Sequence, residues 1–151
     1  MSTHRLRVGV VGLGIGQAHL LAYVLDPERF EVVAICDADV ERLDRASVDW
    51  SVPGVVSLEQ LLDLDLDVVD LCTPPALHEE QIVAALATGR HVICEKPLVR
   101  DLDSLARLEA AEAGAAGRLM PIFQYRFGSG LQKLLHLQTQ GLTGEAIAAT
   151  A

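Results

Sequence analysis

The hydrophobic and polar positions of this chain alternate between two periods. Residues 6–12 (LRVGVVG) form an unbroken apolar run, as a strand covered on both faces requires. A helical stretch follows from about Gln17 to Leu25 and is closed by Asp26-Pro27. FEVVAICD then predicts a second strand, and DADVERLDRA a helix that opens on acids and closes on arginine, the sense the helix dipole favours. PGVVS predicts a short third strand, LEQLLD a brief helix and DVVDLCT a fourth strand. PALHEEQIVAALATG is a helix with prolines at its start and glycine at its end. HVICEK is the fifth strand, DLDSLARLEAAEAGAAG the next helix and LMPIFQYRF the sixth strand. This alternation predicts an α/β fold: a doubly wound parallel sheet of six strands, order 3-2-1-4-5-6, with right-handed crossovers. In the acidic run LDLDLDVVD, Asp63 and Asp65 read as solvated turn residues with no function.

Open sheets of this kind bind ligands at the carboxyl ends of their strands, where the first strand turns into the first helix. Here the turn reads GLGIGQ. Gly12 and Gly14 stand where a dinucleotide fingerprint has its first two glycines. The third, Gly16, comes one residue early, and Gln17 holds its expected place. Glycines at such a turn let the backbone approach a phosphate, and free N–H groups at a helix start attract the anion. Gly12, Gly14, Ile15, Gly16 and Gln17 are therefore the candidate pyrophosphate cradle. A tight strand-to-helix turn needs glycine whether or not anything binds, however. A Gly-x-Gly-x-Gly loop is also similar to that of S-adenosylmethionine-dependent methyltransferases.

Asp37 ends the second strand, about 20 residues beyond the last glycine, the separation expected of a ribose-binding carboxylate. A carboxylate there accepts from ribose hydroxyls and repels a 2′-phosphate. No arginine follows it directly, which predicts NAD in preference to NADP. Asp37 is also open to reading as a solvated strand end or helix cap, with Asp39 an alternative cap. Loop and acid together leave NAD and S-adenosylmethionine both open.

Composition narrows the classes. A chain of 151 residues with half of them hydrophobic has room for one domain with a real core. A net charge of −9 argues against a nucleic-acid partner. No apolar stretch is long enough to cross a bilayer, and the start, MSTHRLRVGV, lacks the apolar core of a secretory signal. Cys36, Cys72 and Cys94 have no metal-ligand spacing, and each ends an apolar run. They read as small, buried, reduced hydrophobes, which suits a cytoplasmic protein.

Two later motifs add to this. CTPPALHEE follows the fourth strand and CEKPL the fifth. With them the sequence resembles the Gfo/Idh/MocA oxidoreductases from about Leu6 to the end of the chain. The resemblance rests above all on Glu95-Lys96-Pro97, preceded by Thr73-Pro74-Pro75 and His78. FQYRFGSGLQKL looks like the family's exit from the sixth strand, and GLTGEAIAATA like its entry into a second domain.

The resemblance implies that Lys96 is catalytic, polarising or deprotonating a substrate hydroxyl, with Pro97 biasing it toward an extended backbone. It places Glu95 near the nicotinamide ribose and Thr73 and Pro74 along the cofactor. His78 is either a cofactor contact or a structural hydrogen-bonder. Gln124 and Arg126 match polar positions after the sixth strand, with Gln in place of the commoner Asn. His19 reads as packing in the first helix.

The implied reaction is hydride transfer between the nicotinamide of NAD and a secondary alcohol of a sugar or polyol, in a homo-oligomeric protein. The implied organisation is a nucleotide-binding domain over 1–127, then a crossover helix and the start of a truncated second α/β domain over 128–151. On that reading the chain is chiefly a cofactor-binding part, with weak NAD affinity and little turnover of its own. A single-domain NAD-binding sensor or subunit is the alternative. A methyltransferase fits Glu95-Lys96-Pro97 less well.

Overall fold

The computed structural model describes residues 4–144. Six parallel strands form one sheet: β1 (Leu6–Val11), β2 (Phe30–Cys36), β3 (Gly54–Val55), β4 (Val68–Leu71), β5 (His91–Cys94) and β6 (Leu119–Pro121). Their order, β3-β2-β1-β4-β5-β6, is the one the sequence pattern predicts. It reverses direction between β1 and β4, and that switch point opens a crevice at the carboxyl edge of the sheet.

Helices cover both faces: α1 (Gly16–Val24), α2 (Val40–Trp50), α3 (Leu58–Leu62), α4 (His78–Ala87) and α5 (Leu102–Ala113). Residues alternate along each strand between two apolar layers. One joins Val8, Val10, Ile35 and Val68 to Leu20 and Tyr23 of α1 and Leu43 and Ala46 of α2. The other joins Val69, Leu71 and Val92 to Leu61, Ile82, Leu86 and Leu108 of the remaining helices.

Three boundaries differ from the sequence pattern, each for a local reason. α2 starts at Val40, because the Asp39 side chain caps it by accepting the Arg42 N–H at 3.0 Å. Its far end continues to Trp50 and stops at Ser51, whose φ of 54° breaks the helix. Pro75–Leu77 form a single 3-10 turn that leads into α4.

The third difference is β6, which covers only Leu119–Pro121 of the predicted LMPIFQYRF strand. Among the described residues it pairs only with β5, whose register ends at Cys94, so one more bond, from Ile122 N–H to the Cys94 carbonyl, is all that extends it there. Gln124–Phe127 instead make a 3-10 turn before α6 (Ser129–Thr139), a helix with no buried residue. Residues 145–151, the end of the GLTGEAIAATA stretch read as the entry into a second domain, lie outside the described residues.

Asp65 is exposed and pairs with Arg7, and the Asp67 carboxylate accepts the Arg7 N–H at 2.8 Å. No helix among the described residues is long and apolar enough to cross a membrane.

Candidate functional site

The glycine loop fills the turn from β1 into α1, and its three glycines meet different demands. Gly12 has φ +90°, and a Cβ there would lie 2.7 Å from the Cys72 carbonyl oxygen. Only glycine fits where β1 passes β4 so closely. A Cβ on Gly16 would meet Val10 Cγ1 at 3.2 Å and Cys72 Cβ at 3.3 Å, so Gly16 sets how tightly α1 packs on the sheet. The early glycine thus performs the packing task usual for the third glycine of the fingerprint. Gly14 has nothing within 4 Å of its Cβ position: its open side is the cleft.

α1 begins at Gly16 with Ile15 as its N-cap and no side-chain cap. The Ala18 N–H already donates to the Ile15 carbonyl at 2.9 Å, and a helix start whose preceding N–H groups carry no side-chain cap is an arrangement that attracts an anion. Gln17 reaches back to donate to the Leu13 carbonyl at 3.0 Å, tying the shortened loop to the first turn of the helix.

The cleft beside this loop has a volume of about 850 Å³, within the range of a cofactor site. Gly12 and Gly14, Asp37, Thr73 and Pro74 line it together, from the ends of β1, β2 and β4. Asp37 is buried. Its Oδ2 accepts the Leu13 N–H at 2.8 Å and its Oδ1 the Asp39 N–H at 2.8 Å. Burial alone would raise this carboxyl, but the N–H groups of Asp39 and Leu13, with the Arg42 guanidinium, bring it below the usual carboxylate range. Asp37 therefore stays an acceptor at neutral pH, and it fixes the glycine loop to the second strand.

Arg42 was not legible as part of this site. One turn into α2, its guanidinium lies 3.1 Å from Asp37 Oδ2 and 3.1 Å from Asp39 Oδ2. The signal available was the i, i+3 pair of Asp39 and Arg42 next to the strand-end acid.

At the next two strand ends the motifs face each other. His78 is fully buried at the start of α4, with Nδ1 3.0 Å from the Pro97 carbonyl and Nε2 2.8 Å from the Thr73 carbonyl. Both ring nitrogens are committed to backbone, so His78 fastens the loop after β4 to the loop after β5 and offers no free nitrogen to a ligand. Of the two readings open to it, the structure supports the structural one. Thr73 is further held by its hydroxyl, which donates to Gln81 Oε1.

Glu95 is buried at the end of β5 and turns its own Oε2 onto the Lys96 N–H at 2.9 Å. Lys96 is exposed, and the Lys96–Pro97 peptide is cis. Gln124 and Arg126 lie on the exposed 3-10 turn after β6.

His19 is more than helix packing. Its Nδ1 lies 2.8 Å from Asp70 Oδ2 and 3.3 Å from Cys72 Sγ, and its Nε2 lies 3.3 Å from Glu95 Oε1. Asp70, fully buried within β4, also accepts the Tyr23 hydroxyl at 2.7 Å. A signal did exist: an acid interrupts the apolar run VVDLC, while His19 and Tyr23 sit four apart on one face of α1. All three cysteines are buried and unpaired by disulfides. Burial pushes the Cys36 thiol up to about 11 and Cys94 to about 12, and raises Cys72 further still. Reactive cysteine chemistry is therefore disfavoured.

Comparison with known proteins agrees with this geometry. The family model described as the oxidoreductase family with an NAD-binding Rossmann fold matches residues 6–123. Inositol 2-dehydrogenase 4 of Saccharopolyspora erythraea is 35% identical over 148 residues, covering 93% of this chain and 44% of that protein. The WlbA dehydrogenase from Bordetella pertussis, solved with NADH and UDP-GlcNAcA, superposes with a TM-score of 0.86 at 32% identity. That match covers 91% of this chain and 43% of the solved one. The scyllo-inositol dehydrogenase from Lactobacillus casei, solved with NAD(H) and scyllo-inositol, superposes at 0.88 with 26% identity. It covers 94% of this chain and 43% of that structure. The chain thus spans less than half the length of the relatives it matches. An open Gly14, an uncapped helix start, a strand-end Asp37 and a sequence match from β1 through β6 agree: this chain belongs to the Gfo/Idh/MocA oxidoreductase family and carries its NAD-binding Rossmann fold.

Proposed function

We propose that this chain is the cofactor-binding part of an NAD-dependent oxidoreductase that interconverts a secondary alcohol of a sugar or polyol with its ketone, in the cytoplasm and as a homo-oligomer. The observation that carries the reading is the common cleft. The open side of Gly14 and the Asp37 carboxylate line the same 850 Å³ space, and the uncapped start of α1 follows Gly14 by two residues. The division into a nucleotide domain over 1–127 and a crossover segment over 128–151 belongs to the same proposal.

Each residue has a task in it. The N–H groups from Gly14 to Gln17 bind the pyrophosphate, and Ile15, exposed beside them, shields that contact from water. Asp37 accepts from the adenosine ribose hydroxyls, for which Arg42 must move aside. Thr73 and Pro74 wall the crevice, held in place by His78. Gln124 contributes from beyond β6. Glu95 orients the nicotinamide ribose. Bound there, NAD supplies the two-electron acceptor. Lys96, exposed at the end of β5, holds the substrate oxygen by a hydrogen bond and moves the hydroxyl proton at its Nζ.

The test is calorimetric titration of NADH into the purified chain, set beside its Lys96→Met variant. Nearly unchanged NADH affinity in the variant is expected. In the protein that carries this domain with its substrate-binding part, the same substitution should lower polyol oxidation by at least a hundredfold, the scale of general acid–base catalysis. Retained turnover would remove Lys96 from the mechanism.

A further inference from the structure

Beneath the glycine loop, on the α1 side of the sheet, His19, Asp70, Tyr23 and Cys72 form a cluster with Glu95, and of these five only Glu95 was given a cofactor contact above. Asp70 projects into the apolar layer between Val68 and Cys72, where an unpaired carboxylate would be strongly disfavoured. It is satisfied on every side: the Tyr23 hydroxyl at 2.7 Å, His19 Nδ1 at 2.8 Å and the Cys72 thiol at 3.5 Å. The far side of the same imidazole meets Glu95 Oε1 at 3.3 Å. Both ring nitrogens therefore face carboxylate oxygens, which accept and never donate when ionised. Only a ring with a proton on each nitrogen satisfies both.

We propose that His19 is a positioning residue: doubly protonated, it bridges Asp70 in β4 to Glu95 at the end of β5, and so fixes the Glu95–Lys96 corner against the glycine-loop helix. Given the dinucleotide function proposed above, on which this part rests, the bridge sets an upper pH limit on cofactor binding.

The surroundings agree. The charged groups acting on the ring from the packed elements are Asp70 from β4 and Glu95 from the end of β5; Cys72 and Tyr23 are neutral, and the neighbouring Lys96 is exposed. The hydrogen bond from His19 to Asp70 raises its affinity for the proton, against the opposing effect of burial, and Glu95 adds to the rise. The bridge is therefore complete below pH 6.5, the usual histidine value, and is lost as pH rises through the elevated one. His19 Nδ1, Asp70 and Cys72 Sγ also lie close enough to share a metal ion. A ligand set would need a free lone pair on Nδ1 and a thiolate, whereas Nδ1 points at a carboxylate and burial raises the thiol. The hydrogen-bonded reading accounts for both.

The test is nitrogen NMR of the chain labelled at histidine, with His19 assigned by loss of its signals in His19→Gln. Both ring nitrogens should have imidazolium shifts at pH 6, with a midpoint above 6.5. Glu95→Gln should lower that midpoint while leaving the fold intact. NADH titrations should show the dissociation constant rising at least fivefold across the His19 midpoint in the wild type and staying flat in His19→Gln. A neutral ring at pH 6 would overturn the bridge, as would ring signals that shift on adding zinc. A charged ring with the same NADH profile in His19→Gln would overturn the positioning role. If NADH fails to bind at any pH, the dinucleotide reading falls and the pH limit with it. The bridge would then be judged on the ring shifts and the Glu95→Gln midpoint alone.

Discussion

At the scale of single residues, two glycines with similar sequence roles should behave oppositely. Gly14→Ala places its methyl in open space and leaves thermal stability nearly unchanged, but it narrows the cleft, so NADH affinity should fall at least tenfold. Gly12→Ala combines a positive φ with a 2.7 Å approach to the Cys72 carbonyl oxygen, and should cost several kcal/mol in chemical denaturation. Equal effects on folding would mean that the loop is differently arranged. Asp37 carries the cofactor preference. Asp37→Ser removes a charged acceptor, worth about 1.5–3 kcal/mol, so NADH binding should weaken roughly tenfold or more. The same change frees Arg42 from its 3.1 Å ion pair, and NADPH binding should improve in titrations. In the wild type, Asp37 is held below the usual carboxylate range, so its contribution is present above pH 3.8 and is lost as pH falls through the depressed value. The glycines and Asp37 were legible because their spacing is local. Arg42 was not, since its relevance depends on how α2 leaves β2. Asp70 was hidden as one acid in an apolar run, and only the pairing of β4 beneath α1 shows that it is buried with His19 and Tyr23.

Between elements, the ends of β4 and β5 are held by one side chain. His78→Leu would remove the ring N–H that one of the Thr73 and Pro97 carbonyls accepts, together with the buried ring that spaces the two loops, a loss of about 1–3 kcal/mol. A drop of that order in urea denaturation is expected, together with weaker NADH binding as Thr73 and Pro97 move apart. Unchanged stability would show that the two loops are fixed by other contacts. The strands themselves were readable because β1, β2, β4 and β5 are covered on both faces and appear as short apolar runs between glycine, proline and acidic punctuation. β6 was not, because strand propensity in LMPIFQYRF says nothing of whether a partner continues alongside. With β5 paired only to Cys94, Phe123 onward has no ladder to join among the described residues. Pattern predicts what a segment can do; its neighbours decide how far it does so.

For the molecule as a whole, the strand order follows from simple rules: consecutive βα units, right-handed crossovers, and one reversal that leaves a crevice at the β1–β4 switch point. That reversal is where the glycine loop, Asp37 and the Thr73-Pro74 turn converge, so the fold and the candidate site share one origin. The motif after β5 brings Lys96 to the same edge. Thermal unfolding in the presence of NADH, NADPH or S-adenosylmethionine, each titrated to millimolar concentration, asks whether this cleft takes a dinucleotide. NADH at about a hundred times its dissociation constant adds roughly 2.7 kcal/mol, which for a chain of this size raises the midpoint by roughly 5–10 °C. The expected result is such a rise with NADH, a smaller one with NADPH and none with S-adenosylmethionine. A rise with S-adenosylmethionine alone would mean that the cleft takes a ligand other than a dinucleotide.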